Sequence, residues 1–470
     1  MYFRRFYDEP LAQASYLIGC QANGTAVVID PARVIAPYLE TAAAEGLQIV
    51  AVTETHIHAD FMSGLRELAA ATGARKYLSG CGTPEWQYGF RGEADTTVLA
   101  DRDVITIGNI RIQAIHTPGH TPEHLAFLVT DGATANDPIG VVTGDFVFVG
   151  DVGRPDLLEK AARIANTAEA GARQLFRSLA WFKGLPDYLQ VWPGHGAGSA
   201  CGKGLGAMPQ TTVGYERRFN WALGIATEDE FVNQVLAGQP EPPRYFARMK
   251  QVNRDGPTVL GSLPAPTALS PERIKAALAA GEAVVDARPA ADFAAGHIPG
   301  CLNIPMSKSF TTYAGSLLPY DRPLHFILPD RSEAAVAELV RDLVSIGFDR
   351  IGGVAGVQVV TGWGAPLGTI REVSAREWKE RAGNGTVVID VRNRTEWDGG
   401  HLPGARLVPL PELLERIDEI PTDAELLLQC QAGGRSAIAA SVLKATGRPR
   451  VANLVGGFAA WVAAGGTVER

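Results

Sequence analysis

The chain has 470 residues, of which 46% are hydrophobic and 20% charged, and its formal net charge is −8. At roughly 100–200 residues per domain this length predicts two to four domains, and the balance of residue types excludes a disordered chain. The acidic balance excludes the electrostatic footprint of a nucleic-acid or anionic-lipid binder, so local positive groups must meet any anionic substrate.

Met1 to Pro10 is polar and aromatic, without the apolar core of a signal peptide, and no apolar run is long enough to span a bilayer. The five cysteines, Cys20, Cys81, Cys201, Cys301 and Cys430, are widely spaced and form no CxxC pair. That argues against a disulfide framework and a structural zinc site, and a reducing cytoplasm is expected. Buried strands are predicted at 26–30, 49–53, 110–115 and 141–147, and helices at 64–72 and 161–179. Segments rich in Pro and Gly around 240–244 and 253–266 read as a linker, which ends a first block at about residue 255.

Four short motifs follow predicted strands in this block: Thr55-His56-Ile57-His58-Ala59-Asp60-Phe61, Thr117-Pro118-Gly119-His120-Thr121, Thr143-Gly144-Asp145 and Pro193-Gly194-His195-Gly196. Strand exits fix the positions of functional groups, and histidines and acids gathered at several such exits are metal-ligand chemistry. His116 reads as structural. The pattern resembles the metallo-β-lactamase superfamily and its HxHxDH loop, with Phe61 where the last histidine would stand, a loss that weakens a second metal site. Together with the string from Gly150 to Asp156, it resembles the persulfide dioxygenases within that superfamily. This resemblance implies one Fe(II) per chain, held by His56, His120 and Asp145, with O2 as co-substrate. Two neutral imidazoles and a carboxylate on one face leave coordination positions open for substrate and dioxygen. His58, Asp60 and His195 would orient ligands or bound water, or remain as vestiges of a lost second site. Cys201 either lines a substrate pocket or is a small buried thiol. Arg154, Lys203, Arg217 and Arg218 are candidates for binding substrate carboxylates.

Residues after about 262 contain an internal repeat. Asp286, Arg288, His297, Pro299, Gly300, Arg331, Ser332, Gly352 and Gly353 each recur 104 positions later. Two copies of one α/β unit, 262–367 and 368–470, are expected, each with a parallel sheet covered by helices on both faces. In the last copy a strand over 426–429 leads into Cys430-Gln431-Ala432-Gly433-Gly434-Arg435-Ser436, with a helix starting near Ala437. A short glycine-rich loop can turn its N–H groups toward the sulfur, and Arg435 and the helix N-terminus would stabilise charge there. With Asp390, Arg392, His401-Leu402-Pro403-Gly404 and Gly456 to Trp461, the loop resembles rhodanese domains. Counting back 104 positions puts Phe326 at the place of Cys430, so the middle copy is expected to be inactive.

The expected fold is therefore a metallo-β-lactamase αββα sandwich followed by two rhodanese-like α/β domains. The whole chain resembles persulfide dioxygenase–rhodanese fusions of sulfide detoxification. That resemblance implies oxidation of a small thiol persulfide, such as glutathione or coenzyme A persulfide, to sulfite, and sulfur transfer among persulfide, sulfite and thiosulfate. A homo-oligomer is expected, with no nucleic-acid or membrane partner. A glyoxalase II-like thioester hydrolase with a fused rhodanese is the alternative.

Overall fold

Runs of β-branched residues pair into sheets where both faces can be covered. In the computed structural model, which describes residues 1–160, 167–381 and 385–470, these runs fall into two compact units. One comprises Met1–Leu263 with Val344–Gly347, the other Pro264–Leu343 with Phe348–Arg470.

The first unit holds two six-stranded sheets among its described residues. The first sheet runs in chain order from Tyr2–Asp8 to Thr96–Leu99, and the second spans Val104–Ile107 to Thr211–Thr212. Ile18, Val27 and Ile29 of one sheet pack on Ile110, Phe127 and Trp192 of the other. The outer face of the first sheet is covered by Tyr38, Ala42, Leu65 and Leu68, that of the second by Leu175, Leu179 and Phe182 of the helix Thr167–Lys183. The result is an αββα sandwich. Residues 161–166 of the expected helix over 161–179 lie outside the described residues.

The strand expected over 141–147 stops at Gly144, whose φ of 49° turns the chain so that Asp145 leaves the sheet. The expected linker is instead bound into this unit. After the helix Tyr245–Asp255 the chain stays on this unit: buried Asn253 donates to the carbonyls of His58 and Phe61, and the N–H groups of Leu260 and Gly261 donate to Glu67. No helix among the described residues is long and apolar enough to cross a membrane.

Among its described residues the second unit holds two five-stranded sheets with all-parallel pairings. The repeat is visible atom by atom. Arg288 chelates Asp286 and donates to the Gly296 carbonyl, as Arg392 does to Asp390 and Gly400. His297 stacks on Phe293 at 3.9 Å, as His401 does on Trp397 at 3.6 Å.

The fixed offset then breaks. Asp286 pairs with Ile327, whereas Asp390 pairs with Gln429, so Leu328 and not Phe326 stands where Cys430 stands. Gly352 and Gly353 lie inside the strand Ile351–Gly356, whereas Gly456 follows the strand Val451–Leu454, so those identities are not equivalent positions. The copies differ between Asn303 and Leu324. There the middle copy builds the helix Phe310–Leu317, while the last copy builds two short 3-10 turns, Leu410–Glu412 and Ile417–Glu419.

Candidate functional site

His56, His120 and Asp145 come from three loops, each leaving a strand: Gln48–Thr53, Ile110–His116 and Gly140–Gly144. All three are buried, and their ligand atoms lie within 4.8 Å of one another. The Nε2 atoms of His56 and His120 stand 3.9 and 3.5 Å from the same oxygen, Asp145 Oδ2. That oxygen is buried with no hydrogen-bond partner in the protein. A buried carboxylate oxygen left without a donor and faced by two imidazole nitrogens fits a metal ion, because burial of the unpaired charge would otherwise be costly.

The other ring nitrogens fix the geometry. His56 Nδ1 lies 2.9 Å from Thr55 Oγ1, and His120 Nδ1 lies 3.0 Å from the Arg154 carbonyl oxygen. With Nδ1–H donated to these oxygens, each Nε2 presents a lone pair to the centre. Burial, reinforced by neighbouring imidazoles, pushes His56 well below its ordinary pKa. Burial also lowers His120, against the attraction of Asp145. Neutral imidazole is the form that ligates. Burial opposes charge on Asp145, yet His195 and His120 hold its carboxyl far below the usual carboxylate range.

His58, Asp60 and His195 form a second layer. His195 Nδ1 is 2.7 Å from Asp145 Oδ1, and its Nε2 is 2.7 Å from Asp60 Oδ2. Burial opposes a proton on His195, but these two carboxylates outweigh it and raise its pKa well above normal. His58 turns away from the centre to Asp30, 3.1 Å distant, and its ring packs against Phe61 at 4.3 Å. Burial disfavours charge on His58, but Asp30 outweighs it and raises its pKa to about 9. Asp60, His195 and Cys201 make a second cluster of ligand-type atoms, and Cys201 is buried with its thiol pushed well up by burial.

Three of the four positive groups considered for substrate carboxylates are engaged elsewhere. Arg154 is fully buried, chelates Asp156 at 2.7 Å and donates to the Ala200 carbonyl, so its contribution here is its own carbonyl on His120. Lys203 donates to the Gln234 carbonyl and lies over the Trp221 ring, and Arg217 pairs with Asp187 on the surface. Arg218 is exposed.

Four residues at the centre escape a reading by motif. Asp30, itself at φ 54°, accepts from Thr55 N, Thr55 Oγ1 and His58. His124 stacks on His56 at 5.1 Å, contacts Thr117 Oγ1 and accepts from the Asp145 N–H. Glu123 accepts from the Ile57 N–H, and Asn253 ties down the His58 and Phe61 carbonyls. Only His124 carried a signal, as a second histidine four residues after His120.

In the second unit, Cys430 follows the strand Leu426–Gln429 and is 1% exposed. The Gly433 N–H donates to its sulfur at 3.1 Å and the Ser436 hydroxyl at 3.4 Å. Gly433 has φ 93°, a conformation open to glycine, and the helix begins at Gly434, three residues before the expected start. A Cβ on Gly457 would collide with the Cys430 carbonyl oxygen, so glycine there lets the loop sit close, held by the Phe458 N–H. The Arg435 guanidinium is chelated by Glu396 at 2.6 and 2.7 Å. All five cysteines are free.

The description "Metallo-beta-lactamase superfamily" matches residues 8–195, and "Rhodanese-like domain" matches 270–356 and 374–464. A metallo-beta-lactamase from Staphylococcus aureus subsp. aureus COL is similar in structure, with TM-score 0.67 and 41% identity, covering 76% of this chain and 98% of its own. A hydroxyacylglutathione hydrolase of Rhodospirillum rubrum is 31% identical over 186 residues, 38% of this chain and 60% of its own length. The uncharacterized protein YqhL of Bacillus subtilis is 46% identical over 74 residues, 16% of this chain and 59% of its own. The chain thus spans about three fifths of the length of these two curated relatives.

Proposed function

The chain belongs to the metallo-β-lactamase superfamily and carries two rhodanese-like domains behind that domain, and from that premise we propose that it oxidises a low-molecular-weight thiol persulfide with O2 to sulfite and transfers sulfane sulfur through Cys430. The observation that carries this reading is the convergence of two neutral imidazoles on one unpartnered carboxylate oxygen, with Phe61 where a further histidine ligand would stand. His56, His120 and Asp145 would hold an Fe(II) ion, which when bound would supply open coordination positions and the electrons that dioxygen requires.

The surrounding residues prepare that centre. The Thr55 hydroxyl and the Arg154 carbonyl hold the two imidazoles in the ligating tautomer. The proton on His195 Nδ1 engages Asp145 Oδ1 and leaves Oδ2 turned inward. The ring of buried Phe61 packs against His58. At the other site the Cys430 sulfur attacks the outer sulfur of a persulfide or of thiosulfate, and the Gly433 N–H and Ser436 hydroxyl stabilise the charged sulfur. Leu328 in the equivalent place makes the middle copy unable to carry sulfur.

Oxygen uptake by iron-loaded protein with glutathione persulfide, alongside metal analysis, tests the reading. His120→Ala removes oxygen uptake and keeps thiosulfate sulfurtransferase activity; Cys430→Ser does the reverse. Loss of both activities in either folded variant would refute the two-site assignment.

A second reading has specific support. The likeness to hydroxyacylglutathione hydrolases, with the cluster of Asp60, His195 and Cys201, favours a two-metal thioester hydrolase. Two metals per chain with hydrolysis of a glutathione thioester would select it; one iron with persulfide-dependent oxygen uptake selects the dioxygenase.

A further inference from the structure

Three of the cations considered for a substrate carboxylate are occupied within the fold, but another stands on the first strand, Tyr2–Asp8. Side chains alternate along a strand, so Phe3, Arg5 and Tyr7 share one face. Phe3 packs on Trp192 at 4.3 Å, and Tyr7 packs against the same core between the sheets. This face therefore follows the strand Gln190–Pro193 to its exit, where His195 lies 2.7 Å from Asp145 and Gly196 comes next. The Gly196 N–H donates to the Ala12 carbonyl, and Gln13 forms a bridge with His195, which ties the two segments together.

A Cβ on Gly196 would stand 2.8 Å from Tyr7 Oη. The backbone there is outside the left-handed region, so glycine is needed for room and not for conformation. The absence of a side chain lets the phenol come up to the loop beside the metal ligands. No hydrogen bond among the described residues uses the Tyr7 hydroxyl. The Arg5 guanidinium lies over the Tyr7 ring, 4.3 Å from its centroid, and Arg5 stands opposite Tyr16 in the sheet. Its neighbours there are aromatic, and its Nε is buried with no hydrogen-bond partner. A buried donor left in that state is costly unless a ligand completes it.

We propose that Arg5 and Tyr7 are specificity-determining residues of the metal centre and bind a carboxylate of the thiol that carries the sulfane sulfur. The proposal rests on the reading that a small thiol persulfide is the substrate. A guanidinium offers a planar fork of donors that matches a carboxylate, and stacking on a ring holds it without cancelling its charge as an acid would. The phenol adds one more donor and no charge. Burial raises the Tyr7 pKa, against the pull of Arg5, so the hydroxyl keeps its proton. A carrier whose carboxylates are esterified loses these contacts.

The test measures binding of S-methylglutathione, which holds no sulfane sulfur, and of its diethyl ester to the full-length protein by calorimetry. Arg5→Gln should weaken S-methylglutathione binding about tenfold and Tyr7→Phe about threefold, while Arg5→Lys, which keeps the charge, should recover most of the affinity. The ester should bind the unaltered protein about tenfold more weakly than the acid and change less than about twofold in either of the first two variants. No binding of S-methylglutathione by the unaltered protein, an unchanged affinity in Arg5→Gln, or an equal fall for acid and ester, as a purely structural role would give, overturns the proposal. With glutathione persulfide, Arg5→Gln should raise KM for oxygen uptake and leave kcat within about twofold; a fall in kcat with KM unchanged counts against it. Absence of oxygen uptake by the unaltered chain would remove the dioxygenase reading, whereas the binding series decides the carboxylate site by itself.

Discussion

Thr55 illustrates how one hydroxyl can organise a metal site. It donates to Asp30 Oδ2 and lies 2.9 Å from His56 Nδ1, so the same oxygen is anchored below and accepts the imidazole proton above. Thr55→Val keeps the shape and removes both bonds. Metal affinity should then fall about 10- to 100-fold, as for loss of other partners of ligating histidines. Competition with a chelator measures the change, and sulfur transfer by Cys430 should be unaffected. At this scale the ligand-type residues were legible, because His, Asp and Cys beside tight turns stand out in any sequence. Thr55, Asp30 and Asn253 were not. Their role comes from bonds across 25 or more positions, such as Asp30 to Thr55 and Asn253 to Phe61, and no local spacing records those. Arg154 shows the converse. Arg154 looks available in the sequence, but Asp156 two residues on chelates it in the fold.

At the scale of elements, the ends of strands matter more than their middles. The turn at Gly144 has φ 49°, and a Cβ there would strike Thr55 and His124. Gly144→Ala should cost about 2–4 kcal/mol from left-handed strain and overlap, and it should displace Asp145. The expected result is loss of bound metal, with the sulfur transfer proposed for Cys430 retained, read by metal analysis and activity on the same sample. The strand over 141–147 was predicted too long because its apolar run continues through Phe146 and Val147, which are buried in the adjoining core rather than paired in the sheet. The repeat was readable where the Asp–Arg chelate and the His–aromatic stack anchor both copies. It became misaligned after Asn303, where a helix in one copy replaces two turns in the other. Sequence identity at a fixed offset cannot register a change of connection length, whereas strand pairing does.

For the whole molecule, the covalent link between two sulfur chemistries has a measurable consequence. On the proposed function, sulfite from one site is an acceptor for sulfur carried on Cys430, and a tether would give each site an effective concentration up to about the millimolar range for the other. An equimolar mixture of His120→Ala and Cys430→Ser chains holds both activities on separate molecules. At nanomolar protein it should convert persulfide to thiosulfate more slowly than the same amount of unaltered chain, and the gap should close as protein concentration rises. Equal rates at all concentrations would show that the link brings no kinetic benefit. The two rhodanese-like copies also preserve the same foundation beneath different tips: the Asp286–Arg288 and Asp390–Arg392 chelates and the stacked histidines are nearly superimposable in their contacts. The chelates and stacks are thus kept while the loop that begins at Leu328 has diverged, so grafting the segment from Cys430 to Ser436 in place of that loop asks whether this shared base alone can support a second sulfur-loading station.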